Sequence, residues 1–346
     1  MPDMMTSATG ASTAEMVERD AWNGCRFQPR DPGGQYESYF QRANHPRRPL
    51  AFWIRYTVFS PKGRPGEAVG ELWGIYFDGE SRRITAAKEV FPIESCQMSR
   101  TGLSVRIGTA SLEDGYLAGR ANSSAGTLQW NLRYEGSEPP LLLLPRSFYE
   151  RGFPKAKALV GTPNAEFDGE LVVNGEMVHV ERWIGSQNHN WGSKHTDRYA
   201  WGQVCGFDED PDAFLEVATA RLKLGPVWTP WMSPVVLIVG GETLGWNALP
   251  RAIRADGHYD LRRREWTIAT ESKLGQLAVR MSAPPEHFVA LRYGNPPGGA
   301  KTCLNSKIAT CEVTLVRDGK TTRLTSHRAA FELLEDHELV DVSPEV

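Results

Sequence analysis

The segment Leu128-Gln-Trp-Asn-Leu-Arg-Tyr-Glu135 decides the fold class. Leu128, Trp130, Leu132 and Tyr134 fall on one side and Gln129, Asn131, Arg133 and Glu135 on the other, the period of two expected of an extended strand with one buried and one wet face. The same kind of reading fits residues 52–59, 71–77, 103–109, 170–173, 177–184, 266–270 and 289–293. The run 235–239 is apolar throughout and is expected to be buried on both faces. Between these runs stand Asp-Gly pairs at Asp78, Asp114, Asp168, Asp256 and Asp318 and an Asn-Gly pair at Asn174, which supply the positive φ of tight hairpin turns. Helices are few: 146–160 has room for a turn or two, broken by Pro154, and 328–336 is read as a short C-terminal helix. Many short strands punctuated in this way predict an all-β protein of antiparallel barrels or sandwiches.

At 346 residues the chain is longer than one hydrophobic core usually reaches. The expected organisation is a tail over 1–34, a first β domain over 35–185 and a second over 186–346. A hydrophobic content of 40%, a charged content of 23% and a net charge of -3 describe an ordinary soluble globular chain. No excess of positive charge favours nucleic acid or an anionic membrane. Residues 1–19 lack the apolar run of a secretory signal and read as a loose tail. The apolar runs 141–144 and 235–239 fall far short of the ~20 residues that span a bilayer, so no integral membrane segment is expected. Cys25, Cys96, Cys205, Cys303 and Cys311 are odd in number and never spaced as CxxC, which points to reduced thiols in the cytoplasm.

The chemistry concentrates in Ser186-Gln-Asn-His-Asn-Trp-Gly-Ser-Lys-His-Thr-Asp-Arg-Tyr-Ala-Trp-Gly-Gln203. Read as a strand, 199–207 places Tyr199, Trp201, Gln203, Cys205 and Phe207 on one face and Ala200, Gly202, Val204 and Gly206 on the other. The large face has polar tips suited to a cavity wall, and the bare one admits close approach of another element. Packing alone explains any single Trp; yet Trp183, Trp191, Trp201, Trp228 and Trp231 fall within 49 residues, among His and Asn side chains that must be hydrogen-bonded if buried.

Several readings compete for His189, His195 and Asp197. A metal site, with Asp197 or His179 as third ligand, lacks any short ligand spacing such as HExxH. A nucleophilic triad lacks a G-x-S-x-G elbow. Acid–base work fits better, with burial raising the pKa of a carboxyl such as Asp197 and an imidazole holding or relaying the proton. A purely structural hydrogen-bond network remains the alternative. Glu216 and Arg221, on the next strand, either reach the cavity or form a surface pair. The Gly294-Asn-Pro-Pro-Gly-Gly-Ala-Lys-Thr302 stretch mimics a phosphate loop, but its two prolines remove backbone donors and Ala300 breaks the motif.

The block Gly185-Ser-Gln-Asn-His-Asn-Trp-Gly192, with His195 and Asp197-Arg-Tyr-Ala-Trp-Gly-Gln203, resembles the hydroxyneurosporene synthase (carotenoid 1,2-hydratase) and AttH-like group, related in architecture to tocopherol cyclases and lipocalin-like Diels-Alderases. The resemblance implies two tandem lipocalin-like (calycin) antiparallel β-barrel or sandwich domains and no metal or organic cofactor. It implies an enzyme that hydrates, cyclises or isomerises an apolar isoprenoid- or polyene-like molecule in an apolar cavity at or between the domains. Asp197, His195, Asn188 and His189 are the candidate catalytic residues under that reading. Trp191, Tyr199, Trp201, Gln203, Trp228 and Trp231 are the candidate substrate contacts. A non-catalytic lipid or isoprenoid carrier is the competing function, since a calycin barrel binds apolar ligands without chemistry.

Overall fold

The computed structural model describes residues 13–336, a helix α1 (Thr13–Asn23) followed almost wholly by strands. The first group comprises β1 (Gln35–Asn44), β2 (Leu50–Ser60), β3 (Val69–Asp78), β4 (Arg83–Pro92), β5 (Cys96–Met98), β6 (Ser104–Ile107), β7 (Ala110–Glu113), β8 (Tyr116–Ser123), β9 (Gly126–Glu135), β10 (Leu141–Leu142), β11 (Ala156–Val173) and β12 (Glu176–Gly192). The second comprises β13 (Arg198–Cys205), β14 (Phe214–Arg221), β15 (Lys223–Leu224), β16 (Val227–Trp228), β17 (Val235–Val239), β18 (Glu242–Gly245), β19 (Asp256–Asp260), β20 (Glu265–Ser272), β21 (Gly275–Ser282), β22 (Val289–Gly294), β23 (Ala300–Arg317) and β24 (Lys320–Asp336). Two short helices, α2 (Ser147–Glu150) and α3 (Leu249–Arg254), interrupt them.

The first sheet has the order β4-β3-β2-β1-β12-β11-β9-β8-β7-β6-β5, with β10 beside β11. Its far strands β8 and β9 pack back onto β4, which nearly closes an antiparallel barrel. The second sheet runs β18-β17-β14-β13-β24-β23-β21-β20-β19, with β22 beside β23. These orders match: a four-strand meander, a long hairpin, then a second meander. Both long hairpins close through left-handed pairs, Asn174 (φ 50°) with Gly175 (φ 90°) and Asp318 (φ 52°) with Gly319 (φ 73°), as a type I′ turn requires.

Each sheet encloses its own packed interior. Tyr39, Phe52, Tyr56, Leu72, Trp130 and Trp183 belong to one buried cluster inside the first. Val204, Val217, Leu237, Trp246, Trp266 and Met281 belong to another inside the second. Strands β1 and β2 are buried along nearly their whole length. Their other face, carrying Phe40 and Trp53, meets Tyr293, Cys303 and Leu334 of the second sheet in a third cluster.

The all-β expectation holds; of the run 235–239, expected to be buried on both faces, Val235 and Leu237 lie inside the second sheet and Val236 is buried outside it, while Ile238 and Val239 are only half-buried. Other expectations are corrected. Residues 328–336 are not helix but the end of β24, where Ala329, Phe331 and Leu333 turn inward. Asp168-Gly169 is no hairpin turn but a register shift within β11. Asp256-Gly257 opens β19, and Gly257 is needed because a Cβ there would sit 2.0 Å from Ser233 Oγ. The chain stays in β12 through Ser186, leaves the first sheet after Gly192 and enters the second at Arg198.

Within the expected loose tail, residues 1–12 lie outside the described residues, while Thr13–Asn23 is helical. Arg19, Trp22 and Asn23 are buried at helical spacing, and Arg19 Nη2 donates to Gly136 O and Glu138 O. The five cysteines are free. Among the described residues no helix is long and apolar enough to cross a membrane.

Close backbone approach between β1 and β12 depends on Gly185, where a Cβ would lie 1.8 Å from Arg42 O. Gly185→Ala is therefore expected to lower unfolding free energy by roughly 1–3 kcal/mol or more, read from denaturant midpoints. Gly66→Ala, with nothing within 4 Å of the added methyl, is the control and should leave the midpoint unchanged.

Candidate active site between the two sheets

A cavity of about 230 Å³ lies between the sheets and outside both packed interiors. From the first sheet it is lined by Tyr36 and Phe40 of β1, Trp53 and Arg55 of β2 and Asn188 and Asn190 of β12. From the second come Tyr199 and Trp201 of β13, Glu216, Ala218 and Ala220 of β14, Tyr293 of β22 and Glu332 of β24. The pairing explains the free space. Tyr199 stands opposite Ala220 and Trp201 opposite Ala218, so two large rings face two methyl groups across the strands. Segment 143–159, with Phe148, Phe153 and Leu159, adds a further apolar wall.

Two carboxyls reach this apolar space in different company. Glu216 is buried and accepts hydrogen bonds from Trp201 Nε1 at 2.8 Å and Gln203 Nε2 at 2.9 Å. Burial raises its pKa to about 7, against the pull of those two donors and of Arg42, with the charge of Glu332 adding to the rise. Glu332 instead forms an ion pair with Lys307 Nζ at 2.8 Å and accepts from Asn305 Nδ2 at 2.9 Å and Tyr199 OH at 3.3 Å. Lys307 Nζ lies 5.6 Å from the ring centroids of both Trp53 and Trp201, and burial draws its pKa down.

Gln203 organises the Glu216 side. Its Oε1 accepts from Arg42 Nε at 2.8 Å and Ser186 Oγ at 2.6 Å, which leaves the Nε2 group to donate to Asn188 Oδ1 at 2.8 Å and to Glu216. His195 stacks on Tyr36 with 4.1 Å between centroids, and its Nε2–H donates to Gly294 O at 3.0 Å. Burial, helped by the charge of Arg55, drives its pKa down to about 3, so the ring is neutral at physiological pH.

Of the candidates drawn from sequence, Asn188, His195, Tyr199 and Trp201 line the cavity, and Gln203 stands directly behind Glu216. The others do not line it. Asp197 pairs with Lys194 Nζ at 2.6 Å and accepts the Lys223 backbone N–H at 2.8 Å, so the structure turns this carboxylate away from the space assigned to it. His189 faces the opposite side of β12, between Trp22 O at 3.0 Å and Glu37 Oε1 at 2.9 Å, stacked on Tyr39, where it fastens the end of α1 to the barrel. Trp191 packs with Trp22 and Tyr149. Trp228 and Trp231 flank the Arg221 guanidinium at 4.4 and 4.6 Å. Phe207 leaves the cavity face, since β13 ends at Cys205 and Gly206 turns left-handed, sending Phe207 inward. Gly202 does serve the close approach read from its strand face, with Met281 Sδ 2.3 Å from where a Cβ would be. Sequence reading missed Arg55, Glu332 and Lys307. Arg55 had a signal, as the one charge in the apolar strand β2, whereas β23 and β24 carry several charges and nothing singled out Lys307 or Glu332.

No protein-family model matches the chain. Uncharacterized proteins of Mycobacterium tuberculosis strains H37Rv and CDC 1551 / Oshkosh are 26% identical to it over 323 residues, covering 91% of each chain. Among solved structures, a Nitrosomonas europaea protein assigned as AttH superposes with TM-score 0.56 at 13% identity, over 93% of this chain and 98% of its own. Kievitone hydratase of Nectria haematococca gives TM-score 0.56 at 10% identity, over 96% and 97%. CghA in complex with Sch210972 gives 0.53 at 12% identity, over 94% and 98%. The chain thus shares, along nearly its whole length, the AttH-like, lipocalin-like double-β fold of these proteins.

Proposed function

We propose that this chain is an enzyme that binds an apolar small molecule between its two sheets and adds a proton to it from Glu216, leading to hydration or cyclisation. The observation that carries the reading is a carboxyl whose pKa is held near 7 in an aromatic-lined cavity, aligned by Trp201 and Gln203. That the fold is shared with a protein named a hydratase agrees with it. Protonation of a carbon–carbon double bond moves the Glu216 proton onto carbon and leaves a cation. The faces of Trp201, Trp53 and Tyr199 attract that cation. Water then adds, and the proton it releases returns to Glu216, so alkene and water give an alcohol and the acid is regenerated. If an internal double bond attacks instead, a ring closes and the final proton loss again restores Glu216. Isoprenoid- or polyene-like substrates fit the apolar lining, and Asn188, His195 and Tyr199 are positioned as polar contacts. Asp197, held by Lys194 and the Lys223 N–H, has no part in this scheme.

Incubation with a panel of isoprenoid alkenes and conjugated enones, read by mass spectrometry, should give products heavier by one water or isomers of new retention time. Glu216→Gln is expected to lower that rate about 10²–10⁴-fold. Unchanged turnover would remove Glu216 as the acid, while binding without any turnover in the native chain would favour the carrier.

Because the protonated form is the donor, kcat should be flat below and fall about tenfold per pH unit above pH about 7. The same shift acts on stability. A folded-state pKa raised from 4.5 to about 7 contributes roughly 3 kcal/mol that is fully present below pH 4.5 and is lost as pH rises through about 7. Unfolding free energies of the native chain and Glu216→Gln should therefore diverge between pH 4.5 and 8, with the variant gaining relative to the native chain.

A further inference from the structure

The cavity contains a buried guanidinium that has no anionic partner among the described residues. Arg55 is 6% exposed and lines the space. Its one side-chain hydrogen bond among the described residues runs from Nη2 to Ser38 Oγ at 2.7 Å, its Nε has no partner, and no carboxylate forms an ion pair with it. Its guanidinium lies 4.6 Å over the Tyr293 ring and 5.8 Å from that of Trp53. Ring stacking offsets part of the cost of burying the charge but does not satisfy its N–H donors.

Neither cavity carboxyl is available to it. Glu332 is occupied by Lys307, Asn305 and Tyr199, and Glu216 by Trp201 and Gln203. The other buried cations differ: Lys307 and Lys301 each have a carboxylate, Arg42 spends its donors on Gln203, Asn44 and Cys205, Lys157 donates to Arg151 O and Pro154 O, and Arg19, which does not line the cavity, donates to Gly136 O and Glu138 O. A buried guanidinium with unspent donors is matched by an oxyanion, which its planar fork fits better than an ammonium does.

Resting on the cavity being the ligand site, we infer that the natural ligand carries an anionic oxygen group, a carboxylate or an ionised enol or phenol, received by Arg55. Arg55 stands across from Phe40 in the strand register and near Trp53, so the apolar body of the ligand extends from the anion over these rings.

Calorimetric titration of the full chain with naphthalene-2-acetate and its neutral isostere naphthalene-2-acetamide tests this without requiring turnover. The acetate is expected to bind about tenfold more tightly, a preference that disappears in Arg55→Gln. Equal binding of the two probes by the native chain, or a preference that survives Arg55→Gln, overturns the assignment. Should that variant not fold, Arg55→Lys decides. Loss of the fork should weaken the acetate several-fold and leave the acetamide unchanged, and no change overturns the role of Arg55. Binding of neither probe would overturn the cavity itself as a ligand site, whereas equal binding leaves the cavity standing and removes only the anion.

Discussion

The bond from Arg42 to Gln203 is the constraint on which the site depends. Arg42 sits on β1 of the first sheet and is fully buried, yet among the described residues it bonds to no carboxylate; it donates to Gln203 Oε1, Gln203 O, Asn44 Oδ1 and Cys205 Sγ. A buried guanidinium can be retained this way because neutral acceptors surround it. The consequence passes along the amide. With Gln203 Oε1 fixed toward Arg42 and Ser186, its NH₂ group must point to Asn188 and Glu216, and Glu216 is hydrogen-bonded by neutral donors while the Arg42 charge acts on it only from behind Gln203. A carboxyl so placed keeps its proton to higher pH than one beside a lysine. The docking of the two sheets and the acidity of the site are therefore one arrangement.

The matched strand orders give this arrangement a near-symmetric setting with unlike chemistry. Phe40 pairs with Asn188 across β1 and β12, and Trp201 pairs with Glu332 across β13 and β24. Phe40 and Trp201 meet edge to face, 6.2 Å between centroids. An aromatic residue and a polar neighbour thus recur on each side, an amide on one and a carboxylate on the other. Glu332 with Lys307 and Glu216 with Gln203 place a charged and a neutral hydrogen-bonding group against the same cavity.

Much of the architecture was legible in the chain. Alternation at 128–135 and the pairs at Asn174 and Asp318 report local rules, and the structure obeys them. Reading failed where both faces of a strand are buried. In Ala329-Ala-Phe-Glu-Leu-Leu334 one face packs the interior and the other meets the opposite sheet, so the period of two vanishes and a short helix fits as well. The site was half legible for a related reason. Tyr199 and Trp201 follow from strand parity, but Asp197 lies before β13 begins and its carboxylate turns to Lys194. Glu216, between Leu215 and Val217, sits in the apolar surroundings that raise a carboxyl pKa, and only the docking of the sheets shows that those surroundings border a cavity.

Both sheets fill their own interiors, and this separates two things that a hollow barrel combines. Where a ligand sits inside a barrel, enlarging the pocket means removing side chains that also hold the barrel together. Here the pocket walls are outer faces, and its width is governed by how the two bodies rest on one another and by small residues such as Ala218 and Ala220. A change at such a seam alters the accepted shape without opening a void in either core. A fold built in this way can exchange one substrate for another while its stability is carried elsewhere.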